Sequence, residues 1–280
     1  MKTIIVTGST GFLGTYLVKK LKKKHKVISL GFKQSADYKI NLLEDEKFKK
    51  IISKTKPDII LNLAAITDVD LCEKNKELCG KLNYKFIKNL IFFSKIYNFN
   101  IIQISTDHVY NRSSYNSEKN VKISNYYAKT KFMSDKIIKK NGGCALRTNF
   151  FGFDNKNKRG LVNWLKKNNK NKKKIYLFKN VFFSPLHIKT LTKYIQLVCE
   201  KFKPGIYNVG SKNKISKSEF GKKVIKTLKL KVNFDEIDYE HKKFKLFAKR
   251  PLNMQMDVSN FEKTFFVKTP LIEKEILKLK

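Results

Sequence analysis

The stretch VTGSTGFLG, residues 6–14, sets Gly8, Gly11 and Gly14 directly behind the apolar run Ile4-Ile5-Val6. Glycine gives up more backbone freedom on ordering than any other residue, so a cluster of them needs a reason. The run before them reads as a buried strand. The segment behind them, LGTYLVKKLKKK, spaces Leu13, Leu17 and Leu21 by four on one helical face. A glycine turn between a first strand and a helix is a dinucleotide phosphate site: one glycine turns the chain, another lets backbone approach the pyrophosphate, and a third admits close helix packing. The spacing here is G-x-x-G-x-x-G, not the G-x-G-x-x-G of simple dehydrogenases.

Outward from this turn the same alternation continues. KVISLG is a strand, EDEKFKKIISKT is helical, and PDIILNLAA is a strand opened by proline. NKELCGKLNYKFIKNLIFFSKIYNF then carries Leu78, Leu82, Phe86 and Leu90 at four-residue spacing, before the strand NIIQIST. Short strands joined by helices pair in parallel through right-handed crossovers. The predicted fold class is α/β, a Rossmann-type doubly wound parallel sheet with a smaller C-terminal substrate lobe. The dinucleotide-binding domain is expected over residues 1–150, rejoined by IYLFKN and the helix KTLTKYIQLVCEKF at about 175–202, and the lobe mainly over 151–280.

The composition excludes several classes. Across 280 residues, 61 Lys and Arg against 23 Asp and Glu leave a net charge of +38. Runs such as KKLKKKHK and KKNNKNKKK carry no interleaved aromatics for base stacking, so the charge reads as solvated surface and no specific nucleic-acid partner is expected. The four cysteines form no C-x-x-C pair and the four histidines are scattered, so no metal site is predicted. No apolar stretch reaches the length of a membrane span, and the glycine turn interrupts the opening apolar run. A cytoplasmic protein without a membrane partner is expected; a homodimer is left open.

Two further motifs extend the pattern. ISTDHVY supplies Thr106 at a strand end, and NYYAKTKFMSDK supplies Tyr127 and Lys131, which on a helix share one face. A phenol near its ordinary pKa of about 10 is a slow acid, and a neighbouring cation favours its ionised form. With the glycine turn, these motifs resemble the extended short-chain dehydrogenase/reductase superfamily. LNLAAITDVDLCEKNKELCGKLN, STDHVY, FFSPLHIKTLTKYI, GIYNVGS and KRPLNMQMD resemble, in order along the chain, segments of the dTDP-4-dehydrorhamnose reductase family.

That resemblance implies reduction of the 4-keto group of a nucleotide-linked deoxysugar by a nicotinamide cofactor. Thr106 and Tyr127 would hydrogen-bond the C4 oxygen, Tyr127 delivering the proton, while Lys131 holds the nicotinamide ribose and lowers the tyrosine pKa. Gly8, Thr10, Gly11, Phe12, Leu13 and Gly14 would wrap the pyrophosphate, Ala64 and Ala65 would lie along the cofactor, and Asn149 near the nicotinamide. Asp107, His108 and Arg250 would face the sugar nucleotide. Three departures bear on the sugar: His108 replaces the family's tyrosine, TNFFG replaces S-W-V-Y-G, and Met254 replaces a serine.

Cofactor choice is read from the second strand. An NAD-selective fold ends it with an acid for the ribose hydroxyls. SLGFKQ has none before Asp37, and Lys33 is placed to meet a 2′-phosphate, so NADPH is expected, with NADH as the alternative. Trp164 reads as packing, Cys72 and Cys79 as packing or surface thiols, and SKSE, residues 216–219, as a helix capping box. The alternative functions are an epimerase or dehydratase of the same superfamily, and a non-catalytic cofactor-binding regulatory subunit.

Overall fold

The computed structural model describes residues 1–32, 35–112, 115–154, 158, 160–171, 174–240 and 246–280. In chain order the first half contains β1 (Thr3–Thr7), α1 (Phe12–Leu21), β2 (Lys26–Gly31), β3 (Tyr38–Lys39), α2 (Asp45–Thr55), β4 (Ile59–Asn62), α3 (Val69–Lys74), α4 (Lys76–Gly80), α5 (Phe86–Tyr97), β5 (Asn100–Thr106), α6 (Tyr126–Lys140) and β6 (Cys144–Thr148). The second contains β7 (Phe150–Phe151), α7 (Leu161–Asn171), β8 (Ile175–Phe178), β9 (Phe182–Phe183), β10 (Leu186–His187), α8 (Ile188–Glu200), β11 (Gly205–Val209), β12 (Ile215–Ser216), α9 (Lys217–Thr227), β13 (Phe234–Ile237), β14 (Asn253–Met254), α10 (Ser259–Phe265) and α11 (Ile272–Leu277).

Seven strands form the main sheet in the order β11-β6-β5-β4-β1-β2-β3. The chain runs outward from β1 through β2 and β3, then returns to β4 on the other side of β1, which is the doubly wound arrangement expected from the sequence. β1 pairs in parallel with both neighbours, Ile4 opposite Val27 and Ile59. Both faces of this strand are covered, so Ile4, Ile5 and Val6 are all fully buried. This is why it reads as a continuous apolar run rather than an alternating one. Leu13, Leu17 and Leu21 of α1 are buried as their spacing requires.

Two expectations change. The helix read across residues 75–99 breaks: Lys81–Lys85 is a π-helical turn between α4 and α5. Leu78 is 41% exposed, while the neighbouring Cys79 is buried against Cys72 and Thr130. Asn83, inside this turn, is held by Ile66, whose N–H donates to Oδ1 at 2.8 Å. Its own backbone carbonyl accepts from Ser134 Oγ at 2.5 Å.

IYLFKN, expected to rejoin the main sheet, instead forms β8 and pairs in parallel with β13. The returning strand is β11, within GIYNVGS, which the resemblance assigned to the lobe. A parallel neighbour needs a crossover of a dozen residues or so, and the 13-residue α8 directly before β11 supplies it.

The chain divides into two compact units. The first comprises Met1–Thr106, Asn125–Arg147 and Thr192–Tyr207; the second comprises Asp107–Ser124, Thr148–Leu191 and Asn208–Lys280. The first has a core of sheet and helix aliphatics around Phe48, Phe86 and Phe93. The second packs its own core around Phe151, Phe183 and Phe220, with the small sheets β10-β7, β12-β9-β14 and β13-β8.

Candidate active site

In the first unit the glycine turn closes over the C-terminal end of β1. Gly8 has φ +63, and a Cβ there would stand 2.9 Å from the backbone nitrogen of Ala64. A Cβ on Gly14 would meet the Ser9 carbonyl oxygen at 2.6 Å. The turn therefore needs bare backbone for its own folding before any ligand is considered. Gly11 is the N-cap of α1 and supplies no side-chain cap bond, and the first turn holds no acid. Such a helix start, with N–H groups and the positive end of its dipole, suits a pyrophosphate. Thr10 and Phe12 are partly buried beside Gly11, Leu13 is buried, and Ala64 and Ala65 follow β4. The residues predicted for the cofactor in this unit thus fit a dinucleotide. Lys33 lies outside the described residues.

Next to this cradle runs a polar ladder that sequence reading missed. Thr7, Asn62 and Gln103 stand side by side in register on β1, β4 and β5. Thr7 Oγ1 donates to Asn62 Oδ1, and Asn62 Nδ2 donates to Gln103 Oε1 at 2.7 Å. Gln103 Nε2 donates to the Ile104 carbonyl at 3.1 Å. The same carbonyl accepts from Lys131 Nζ at 2.7 Å. Only alternation on adjacent strands hints at such a row, and apolar neighbours obscure it.

Helix α6 carries Tyr127 and Lys131, the pair expected from the sequence to be catalytic. Asn125 caps it through Ala128 N–H at 2.9 Å. Tyr127, Lys131 and Asp135, spaced by four, are 7%, 2% and 0% exposed, so they form one buried stripe. Burial lowers the Lys131 pKa to about 8, against the partial support of Asp135 and Cys79. Asp135 accepts from Arg147 Nε at 2.8 Å, a pair with both side chains fully buried. Thr106, at the end of β5, is buried. Cys72 and Cys79 are neither exposed nor apart: both are buried, with sulfurs 2.6 Å from each other.

The second unit holds the other predicted residues. Asp107 opens a short 3-10 turn through Val109, and its Oδ2 accepts from Asn149 Nδ2 at 2.8 Å. Asn149, expected beside the nicotinamide, and Asp107, expected at the sugar, are therefore bonded to each other. His108 and Arg250 line a cavity of about 330 Å³. Its wall also includes Trp164, Tyr176, Lys217 and Met254. Burial, then the cations Lys217 and Arg250, push the His108 imidazole down to about 3, so at neutral pH it is an uncharged donor and acceptor. Trp164, read as packing, is 38% exposed and forms part of this wall. Lys217 was not anticipated; its only sequence signal is its place directly after the capping Ser216, whose Oγ accepts from Glu219 N–H at 3.0 Å. Among the described residues no cluster of His, Cys, Asp and Glu could hold a metal ion. No described helix is long and apolar enough to cross a membrane.

The profile of the RmlD substrate binding domain matches residues 1–279. The chain belongs to this family. RmlD membership bears out the resemblance read from the sequence and, with it, the expected class of an NAD(P)-dependent oxidoreductase of the short-chain type. The chain is 26% identical to the spore coat polysaccharide biosynthesis protein SpsK of Bacillus subtilis (strain 168), over 79% of this chain and 77% of that protein. It is 28% identical to methionine adenosyltransferase 2 subunit beta of Xenopus laevis, over 51% of this chain and 44% of that one, under half of that relative's length. The fold is similar to the crystal structure of a dTDP-4-dehydrorhamnose reductase from Bacillus anthracis str. Ames in complex with NADP. The TM-score is 0.90 at 22% identity, covering 99% of this chain and 98% of that one.

Proposed function

We propose that this RmlD-family chain uses NADPH to reduce the 4-keto group of a nucleotide-linked deoxysugar. The observation that carries the reading is the buried stripe of α6, where Tyr127 and Lys131 share a face in the unit that holds the glycine turn. A binding protein has no use for a buried phenol and ammonium so arranged. A nicotinamide held there would supply the hydride. Tyr127 donates its hydroxyl proton to the C4 oxygen as that oxygen gains charge, and Thr106 hydrogen-bonds the same oxygen. Lys131, positively charged below about pH 8, favours the tyrosinate left behind and meets the ribose. Gly8, Thr10, Gly11, Phe12, Leu13 and Gly14 hold the pyrophosphate, with Ala64, Ala65 and Asn149 along the rest of the cofactor. Asp107, His108 and Arg250 face the sugar nucleotide, and a neutral His108 offers hydrogen bonds without charge.

The NADP in the Bacillus anthracis structure supports the cofactor assignment. Similarity to methionine adenosyltransferase 2 subunit beta favours a second reading, a cofactor-binding regulatory subunit. The two are separated by Tyr127→Phe, which deletes one hydroxyl and keeps the ring. The reductase reading expects NADPH consumption with a dTDP-4-keto-6-deoxyhexose, a kcat loss of about 10²- to 10⁴-fold in the variant, and unchanged NADPH affinity. A wild type that binds NADPH but reduces no nucleotide-linked ketosugar gives the regulatory reading precedence.

A further inference from the structure

Cys72 and Cys79 meet because the helix between them is broken. On a continuous α-helix two residues seven apart stand about 10.5 Å from each other along the axis, too far for a disulfide. Asn75, with φ −125 and ψ 77, leaves helical geometry. It is the C-cap of α3 and the N-cap of α4, its side chain accepting from Leu78 N–H at 2.9 Å. The chain turns there, and the two sulfurs come within 2.6 Å of each other.

Polar groups surround the pair. Cys79 Sγ accepts from Asn83 Nδ2 at 3.2 Å and lies 3.7 Å from Thr130 Oγ1. Cys72 Sγ lies 3.5 Å from the Ile66 carbonyl oxygen. The Cys72 thiol first, then Thr130, Lys131 and Asn83, hold the Cys79 pKa below its ordinary value against the effect of burial. The thiolate is the reactive form of cysteine. Cys144 and Cys199 differ: burial pushes both thiols up, Cys199 to about 12.

The pair is buried but shallow. Leu71 and Leu78, directly before the two cysteines, are 43% and 41% exposed. Helices α3 and α4 are only six and five residues long, and such short elements open locally at low cost.

We propose that Cys72 and Cys79 are a redox modification site, which a peroxide converts into a reversible intramolecular disulfide while Cys144 and Cys199 stay reduced. The Cys79 sulfur attacks one peroxide oxygen, the O–O bond breaks, and a sulfenic acid and water result. The Cys72 sulfur then attacks the sulfenic sulfur; the S–S bond forms, the S–O bond breaks, and a second water leaves with the Cys72 proton. Two thiols are oxidised by two electrons in total, and one peroxide is reduced to two waters. The bond lies against the helix of the proposed site. Glu73, beside Cys72, accepts from Tyr126 N–H at 2.9 Å, and Thr130, in contact with Cys79, stands between Tyr127 and Lys131 on α6. The site is independent of which substrate the protein reduces.

Lys74 and Lys76 lie between the two cysteines, so trypsin separates them unless a disulfide joins the fragments. Reduced wild type, Cys72→Ser and Cys79→Ser are treated with hydrogen peroxide, denatured, alkylated, digested and weighed by mass spectrometry. In wild type the expected product is the Cys72 and Cys79 fragments joined, two hydrogens lighter than their sum and separated again by dithiothreitol. Cys144 and Cys199 should be fully alkylated. Both serine variants should lack the joined species, and the cysteine left in each should carry a sulfenic acid or its further oxidation products. Joined fragments that involve Cys144 or Cys199 overturn the proposal. Wild-type Cys72 and Cys79 that remain fully alkylatable after peroxide, or that oxidise singly without joining, overturn it as well.

Discussion

The Lys131 ammonium donates to the Ile104 carbonyl at 2.7 Å, and the Gln103 side chain donates to the same oxygen at 3.1 Å. A buried cation is thereby satisfied by a neutral acceptor, while the carboxylate one helical turn away, Asp135, is engaged with Arg147. A carbonyl supports an ammonium less than a carboxylate does, so burial dominates and the Lys131 pKa falls to about 8.

The pH dependence of stability follows from that value. The folded-state pKa lies below the unfolded value of about 10.4, so between the two the unfolded chain binds the extra proton. Wild type should therefore gain stability relative to Lys131→Met as pH rises from about 8 to 10, by at most about 1.4 kcal/mol per pH unit. Urea midpoints of both proteins across this range measure it. A pH-independent difference would contradict the buried, weakly supported ammonium.

Gly8 and Gly142 both have positive φ, at +63 and +74, but only Gly8 is crowded. A Cβ at Gly142 meets nothing within 4 Å. Gly142→Ala should cost about 1–2 kcal/mol for the left-handed backbone alone. Gly8→Ala should cost more, because the Ala64 backbone must shift, and it should also weaken NADPH binding. Equal losses in denaturant unfolding would rule out the crowding argument.

The Asp135–Arg147 pair is fully buried. Arg147→Met leaves a carboxylate without its partner inside the protein and should cost about 3–5 kcal/mol. The double variant Asp135→Leu/Arg147→Met removes both charges and should regain most of that loss. If the double variant is no more stable than Arg147→Met, the cost arises from lost packing and not from the orphaned charge.

Coenzyme preference is the fourth expectation. Asp37, the first acid after β2, accepts from Ser29 N–H and Oγ–H, both at 2.8 Å. It is committed to the strand and poorly available to a ribose 2′-hydroxyl. NADPH should exceed NADH in kcat/KM, and Lys33→Glu should narrow or reverse the ratio. A wild type preferring NADH would refute this.

The features legible before folding lie within short reach along the chain. The apolar strand, the glycine turn and the leucine stripe of α1 are encoded in consecutive residues, because periodicity and φ requirements are local. Tyr127 and Lys131 are four apart on one helix, so their common face was legible without a fold. The row Thr7, Asn62 and Gln103, the Asp135–Arg147 pair, and the cavity that gathers His108, Trp164, Lys217 and Arg250 were not. Their partners are 12 to 55 residues apart in the hydrogen-bonded cases. Only strand order, register and packing decide which of many polar residues meet. The return of β11 rather than β8 to the main sheet has the same origin: both stretches have strand composition, and the crossover through α8 selects between them.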